Sequence, residues 1–136
     1  MRYSVIIPVY NRPDEVDELL KSLTTQHFTD FEVIVVEDGS SVPCKEIVDR
    51  YTDKLDIKYF FKSNSGPGQS RNYGAERSEG EYLIILDSDV ILPEGYFDAV
   101  EKELAASFPL LLPMLLAAPT VHTILSLIFR RQSTIP

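Results

Sequence analysis

Phe31-Glu32-Val33-Ile34-Val35-Val36-Glu37-Asp38-Gly39-Ser40 shows the pattern on which the rest of the chain is built. Phe31 to Val36 is short, mostly apolar and rich in β-branched residues, which suits a strand buried on both faces. It runs straight into two acids, a glycine and a serine, so polar chemistry stands at its carboxyl end. Upstream, Val5-Ile6-Ile7-Pro8-Val9 has the same character and is followed by Tyr10-Asn11-Arg12. Pro13, Asp14 and Glu15 are good first-turn residues, and Val16, Leu19, Leu20 and Leu23 then fall at helical spacing. Downstream, Pro43 opens a second helical pattern whose apolar face is Cys44, Ile47, Val48 and Tyr51. Ile57 to Phe61 predicts a third strand. Gly66-Pro67-Gly68 punctuates a loop, and Gln69 to Arg77 predicts a helix. Tyr82 to Leu86 predicts a fourth strand ending in Asp87-Ser88-Asp89, and Pro93-Glu94 start a helix with Phe97, Val100 and Leu104 turned inward. The order βαβαβαβα predicts an α/β fold, a Rossmann-like parallel sheet flanked by helices, with right-handed crossovers.

The 136 residues suffice for one domain, and 44% hydrophobic with 25% charged residues is the composition of a globular chain. A net charge of -8 argues against nucleic acid as a partner, because a polyanion would be repelled. Cys44 is the sole cysteine, so no internal disulfide is expected. The start shows no signal-peptide pattern, which makes the cytoplasm the expected location. Composition changes sharply near Ala105. All 21 acidic residues lie at or before Glu103, and 105–129 carries no Asp, Glu, Lys or Arg before Arg130-Arg131. The expected division is therefore 1–104, a ligand-binding α/β unit, and 105–136, an atypical hydrophobic tail. Three readings of Phe108 to Phe129 stay open: a membrane span, an altered terminus, or a segment packing on the sheet. Pro109, Pro113 and Pro119 count against the span. An apolar tail would favour membrane association or oligomerisation.

In an open parallel sheet, ligands sit beyond the carboxyl ends of the strands. Tyr10-Asn11, Glu37-Asp38 and Asp87-Ser88-Asp89 all fall at such ends, so strand order alone gathers them along one edge. Asp87 and Asp89 lie two apart, on one side of an extended segment, and suit a hard cation such as Mg²⁺ or Mn²⁺. The alternative is a solvated turn. Asp38 could accept an N–H from a base, or close an Asx turn before Gly39. Arg71 could clamp a diphosphate or form a surface ion pair. Gly66 and Gly68 could bring backbone N–H groups near phosphate. His27 and His122 stand alone, which excludes an ordinary zinc site.

Together these residues resemble the family 2 glycosyltransferases, inverting enzymes with the GT-A fold. The resemblance spans residues 3 to 104. It rests on Ser4 to Asn11, on Val35-Val36-Glu37-Asp38-Gly39-Ser40, and on Asn64-Ser65-Gly66 leading to Ser70-Arg71-Asn72. Gly80-Glu81-Tyr82 leading to Asp87-Ser88-Asp89 completes it. It implies a nucleotide-diphospho-sugar donor, most often a UDP-sugar, a divalent metal, and a glycan or lipid-linked acceptor. Pro8, Tyr10 and Asn11 would line the nucleotide pocket, and Asp38 would hold the base with Glu37 beside it. Asn64 and Arg71 would face the nucleotide and diphosphate. Asp87 would approach ribose and metal, and Asp89 would bind the metal directly. The family also uses a carboxylate base beyond the Asp-x-Asp helix, and no Asp or Glu follows Glu103. No catalytic base is therefore named. The match reads as the donor half of the fold, cut short before the acceptor half, and donor binding without turnover is the alternative function.

Overall fold

A computed structural model describes residues 1–106 and 126–130 of the chain. Its strands are β1 (Tyr3–Val9), β2 (Phe31–Asp38), β3 (Ile57–Lys62), β4 (Tyr82–Leu86) and β5 (Ser126–Arg130). Its helices are α1 (Pro13–Thr24), α2 (Lys45–Asp49), α3 (Pro67–Glu76) and α4 (Tyr96–Ala106). The strands form one sheet in the order β3-β2-β1-β4-β5. The first four run parallel, with Val5 opposite Val33 and Ile84, as the βαβ pattern requires.

Side chains alternate across a strand, and here each face has its own cover. Val5, Ile7, Val9, Val33 and Val35 point into the larger core. There they meet Val16, Leu19, Leu20 and Leu23 of α1, Cys44 and Val48 around α2, and Phe97 and Val100 of α4. The stripe read from α1 is buried at every one of its four positions. Ile6, Ile34, Val36 and Ile85 point the other way into a smaller core shared with Tyr73 and Ala75 of α3. Gly74 lets α3 approach the sheet closely, since a Cβ there would stand 2.7 Å from Ile6 Cγ2. A buried polar knot locks the opposite end of the sheet. Glu32 accepts hydrogen bonds from Ser4 Oγ (2.6 Å), the Glu79 amide (2.6 Å) and Lys58 Nζ (3.1 Å).

The structure departs from the sequence reading in four places. β2 and β3 run on through Asp38 and Lys62, so these polar residues belong to the sheet rather than to the loops after it. α2 has only five residues and starts after Cys44. α4 begins at Tyr96 rather than Pro93, and the Pro93 carbonyl accepts the Tyr96 amide in a local turn (3.1 Å) and Gln26 Nε2 from across the fold (2.8 Å). Within the expected tail, Ser126–Arg130 pairs antiparallel with β4, from Ser126 opposite Leu86 to Arg130 opposite Tyr82. A five-residue strand inside a long apolar run has no periodic signature of its own, so the sequence does not announce it. Ala105 and Ala106 of the expected tail end α4, and its other residues, to which the membrane-span and altered-terminus readings mainly refer, lie outside the described residues. Among the described residues, no helix is long and apolar enough to cross a membrane.

Candidate functional site

The carboxyl edge of the sheet carries three loops, which follow β1, β2 and β4. Beside them, the loop after β3 leads into α3. Pro8 and Val9 at the end of β1, Tyr10 just after it, Asp38 from β2, and Pro67 and Ser70 from α3 line a cleft of about 160 Å³. Three of the expected residues, Pro8, Tyr10 and Asp38, therefore meet in one place. Tyr10 is 53% exposed, unusual for an aromatic, and lines this cleft.

Asp38 and Glu37 are neighbours in sequence but point to opposite sides of the sheet. Glu37 points into the larger core and is fully buried. Its carboxylate accepts hydrogen bonds from the Cys44 amide (2.7 Å), the Tyr59 hydroxyl (2.8 Å) and the Ser40 hydroxyl. The structure thus places Glu37 behind the β2 loop, across the sheet from Asp38, and its visible work is to hold residues 40–44 in place. Burial and the adjacent Glu37 push the Cys44 thiol above its ordinary range, so it stays a neutral packing group.

Asp38 lies on the α3 side, 5% exposed. Its Oδ1 pairs with Lys62 Nζ at 2.5 Å and accepts the Ser65 amide at 2.8 Å, while Oδ2 accepts the Gly66 amide at 3.0 Å. Burial alone would raise the Asp38 carboxyl. The Lys62 ammonium and the two amides outweigh it and hold the group below the usual carboxylate range. This corrects the expectation for Gly66, whose N–H is spent on Asp38. Gly39 has φ +69, and a Cβ there would lie 2.7 Å from the Asn64 nitrogen, so the two loops can touch only with glycine at this point.

The remaining expected residues spread around this centre. Asn11, at φ 53, receives the Val42 amide on Oδ1 (3.0 Å) and donates its own N–H to Ser40 Oγ (2.8 Å), tying the first loop to the second. Asn64 is exposed but donates Nδ2 to the Asp38 carbonyl at 3.0 Å. Arg71 lies on the β4 side of α3. It lines a second groove of about 550 Å³ with Gly68, Gln69, Asn72, Ala75, Leu83 and Ile85. Its Nε is buried and has no hydrogen-bond partner among the described residues. Asp87 and Asp89 are exposed in the turn after β4, closed by the Val90 amide on the Asp87 carbonyl (3.2 Å). Neither forms an ion pair among the described residues. No group of three or more metal-ligating side chains gathers there among the described residues. Two uncommitted carboxylates fit a hard cation that takes its other ligands from a bound molecule and water.

The sequence reading missed Lys62, Ser65 and Ser70. The signal for Lys62 was present but latent. Asp38 and Lys62 are register partners in the β2–β3 ladder, and ending those strands at Val36 and Phe61 hides the pairing.

Comparison with known proteins now bears on this site. The family model for glycosyl transferase family 2 matches residues 4–107. The chain is 44% identical over 93 residues to the poly(ribitol-phosphate) beta-N-acetylglucosaminyltransferase TarS of Staphylococcus aureus, a match covering 65% of this chain and 16% of TarS. It is 37% identical over 97 residues to the GalNAc(5)-diNAcBac-PP-undecaprenol beta-1,3-glucosyltransferase of Campylobacter jejuni, covering 69% of this chain and 31% of that enzyme. Among solved structures, S. aureus TarS 1-349 in complex with UDP-GlcNAc superposes with a TM-score of 0.74 at 36% identity, covering 78% of this chain and 32% of that one. The mannosyltransferase PcManGT of Pyrobaculum calidifontis shares the fold, with a TM-score of 0.68 at 24% identity over 88% of this chain and 33% of that one. This chain spans about a sixth of the length of TarS and about a third of each of the others. The sheet with its helices is that of the GT-A enzymes, and the chain belongs to glycosyl transferase family 2.

Proposed function

We propose that the chain is the donor-binding part of a glycosyltransferase that takes a UDP-sugar together with Mn²⁺ or Mg²⁺ and passes the sugar to a glycan or lipid-linked acceptor. The observation that carries this reading is the cleft between Tyr10 and Asp38, set on the same sheet edge as the uncommitted Asp87 and Asp89. Each residue then has a chemical task. The exposed Tyr10 ring offers a stacking surface for a base. Asp38, ionised and ringed by donors, has acceptor capacity left on Oδ2 for a base N–H. The unpartnered Arg71 Nε–H is a donor in wait for an anion such as a diphosphate. Asp87 and Asp89 would hold the divalent ion, which when bound supplies positive charge against the departing diphosphate.

Titration calorimetry with UDP, with and without Mn²⁺, tests the donor site on the wild type and on Asp89→Ala. The expected result is metal-dependent binding that Asp89→Ala abolishes. Binding of equal strength without metal would remove the role given to Asp87 and Asp89. A second reading of the same cleft is donor binding without transfer. Release of free UDP from UDP-GlcNAc, absent without metal, would decide for turnover.

A further inference from the structure

Lys62 stands out because the donor reading gives it no task, yet it is the cation nearest the middle of the site. Its side chain is 11% exposed, although it ends a strand at the sheet edge. Its Nζ has three hydrogen-bond acceptors, Asp38 Oδ1, the Ser63 carbonyl (3.2 Å) and Ser65 Oγ, which matches its three N–H groups. The ammonium is therefore saturated and has no donor left for a ligand. It acts on the site only through Asp38 and the loop 63–66. The consequence for Asp38 is specific. Every group around its carboxylate is a donor: Lys62, the Ser65 amide and the Gly66 amide. No neighbour accepts a proton from it, so it faces the cleft as an acceptor and nothing else.

We propose that Lys62 is a positioning residue that sets base specificity: by fixing Asp38 as an obligate acceptor, it commits the cleft to bases that present a ring N–H beside a carbonyl, as uracil does. Cytosine shows a ring nitrogen acceptor at the corresponding position and would set lone pair against lone pair. This inference rests on the donor reading above and adds to it the residue that enforces the choice. The charged and titratable groups around Asp38 are few. Lys62 reaches it from β3, Tyr10 stands across the cleft, Arg71 belongs to the neighbouring groove between α3 and β4, and Glu37 turns to the opposite side of the sheet. Lys62 is the only one of these that forms an ion pair with it among the described residues.

The test compares UDP with CDP by calorimetry in saturating Mn²⁺, at pH 7.5 and pH 5.5, on the wild type, Lys62→Met and Lys62→Arg. Taking the ratio of the two affinities cancels the diphosphate and the metal, which both ligands share. The wild-type preference for UDP should be the same at both pH values. In Lys62→Met the buried carboxyl keeps its desolvation and loses its counter-charge, so it should be mostly protonated at the lower pH. The preference should then fall about tenfold between pH 7.5 and pH 5.5. Lys62→Arg should restore the flat profile. Circular dichroism of Lys62→Met checks that it folds. If Lys62→Met does not fold, the carbon-13 shift of the Asp38 carboxyl in Lys62→Arg and wild type replaces it, and a carboxyl titrating at the ordinary carboxylate pH in the wild type overturns the proposal. Wild-type discrimination preserved in a folded Lys62→Met at pH 5.5 overturns it while leaving the donor site standing. Failure of the wild type to bind UDP at all overturns the donor reading and this inference with it.

Discussion

Two acidic regions stand on the same edge of the same sheet, and they have opposite fates. Glu37 and Asp38 end β2 in the middle of the molecule, almost wholly buried, and each of their carboxylates is met by three hydrogen-bond donors from the chain. Asp87 and Asp89 follow β4 at the same level, exposed and without an ion pair among the described residues. The residue type is the same, and so is the place in the strand–loop pattern. The difference is desolvation. A buried carboxylate without donors is so costly that folding supplies them, and an exposed one is served by water until a ligand replaces it. The first pair is thus built into the site, and the second remains open to an incoming cation.

This contrast can be broken by deletion. The largest effect is expected for Glu37→Ala, which strands the Cys44 amide and the Tyr59 and Ser40 hydroxyls in the core. A loss of about 3–5 kcal/mol in urea-unfolding free energy follows from leaving several buried polar groups unmet. A loss below about 1 kcal/mol would show that Glu37 is not the holder of the 40–44 loop. Gly74→Ala comes next. Its new Cβ would press on fully buried Ile6, at a cost of about 1–3 kcal/mol from overpacking. By lifting α3 it should also weaken UDP binding through the Ser65 and Gly66 amides, with little change at Asp87 and Asp89.

Acid separates the regions more gently. For both Glu32 and Asp38, burial by itself raises the carboxyl. Ser4, the Glu79 amide and Lys58 around the first, and Lys62 with two amides around the second, outweigh it and bring both below the ordinary carboxylate range. A depressed folded value means stability that is fully present above the unfolded value and lost as pH falls through the folded one. The unfolding free energy should therefore hold steady down to about pH 5 and decline below about pH 4. Glu32→Gln combined with Asp38→Asn should flatten that decline, and an unchanged slope would assign acid lability to other groups. The smallest effect on stability belongs to Asp89→Ala, within about 0.5 kcal/mol of wild type. The same variant is the one expected to lose metal-dependent UDP binding, so a stable but donor-blind protein would make the contrast sharpest.

Much of this was legible in the residues. The alternation of buried strands and amphipathic helices is local, because a side chain's periodicity is set by its own backbone, and the four parallel strands came out in their places. Strand order then brought Tyr10 and Asp38 to one edge without further information, and the family resemblance added Pro8. What stayed hidden depended on partners distant in sequence. β5 carries no pattern until β4 offers it an edge. Glu37 and Asp38 look alike in a row of letters, and they part company because successive residues of a strand face opposite layers.

Local patterns in the residues thus account for the fold class, for the sheet edge that collects the polar clusters and for the identity of the acids there. Which of those acids are already taken is settled by packing between distant segments. Lys62 lies 24 positions after Asp38, and no local rule couples them. Their meeting is set by the β2–β3 register, and register is a property of two strands packed on a shared core, not of either strand alone.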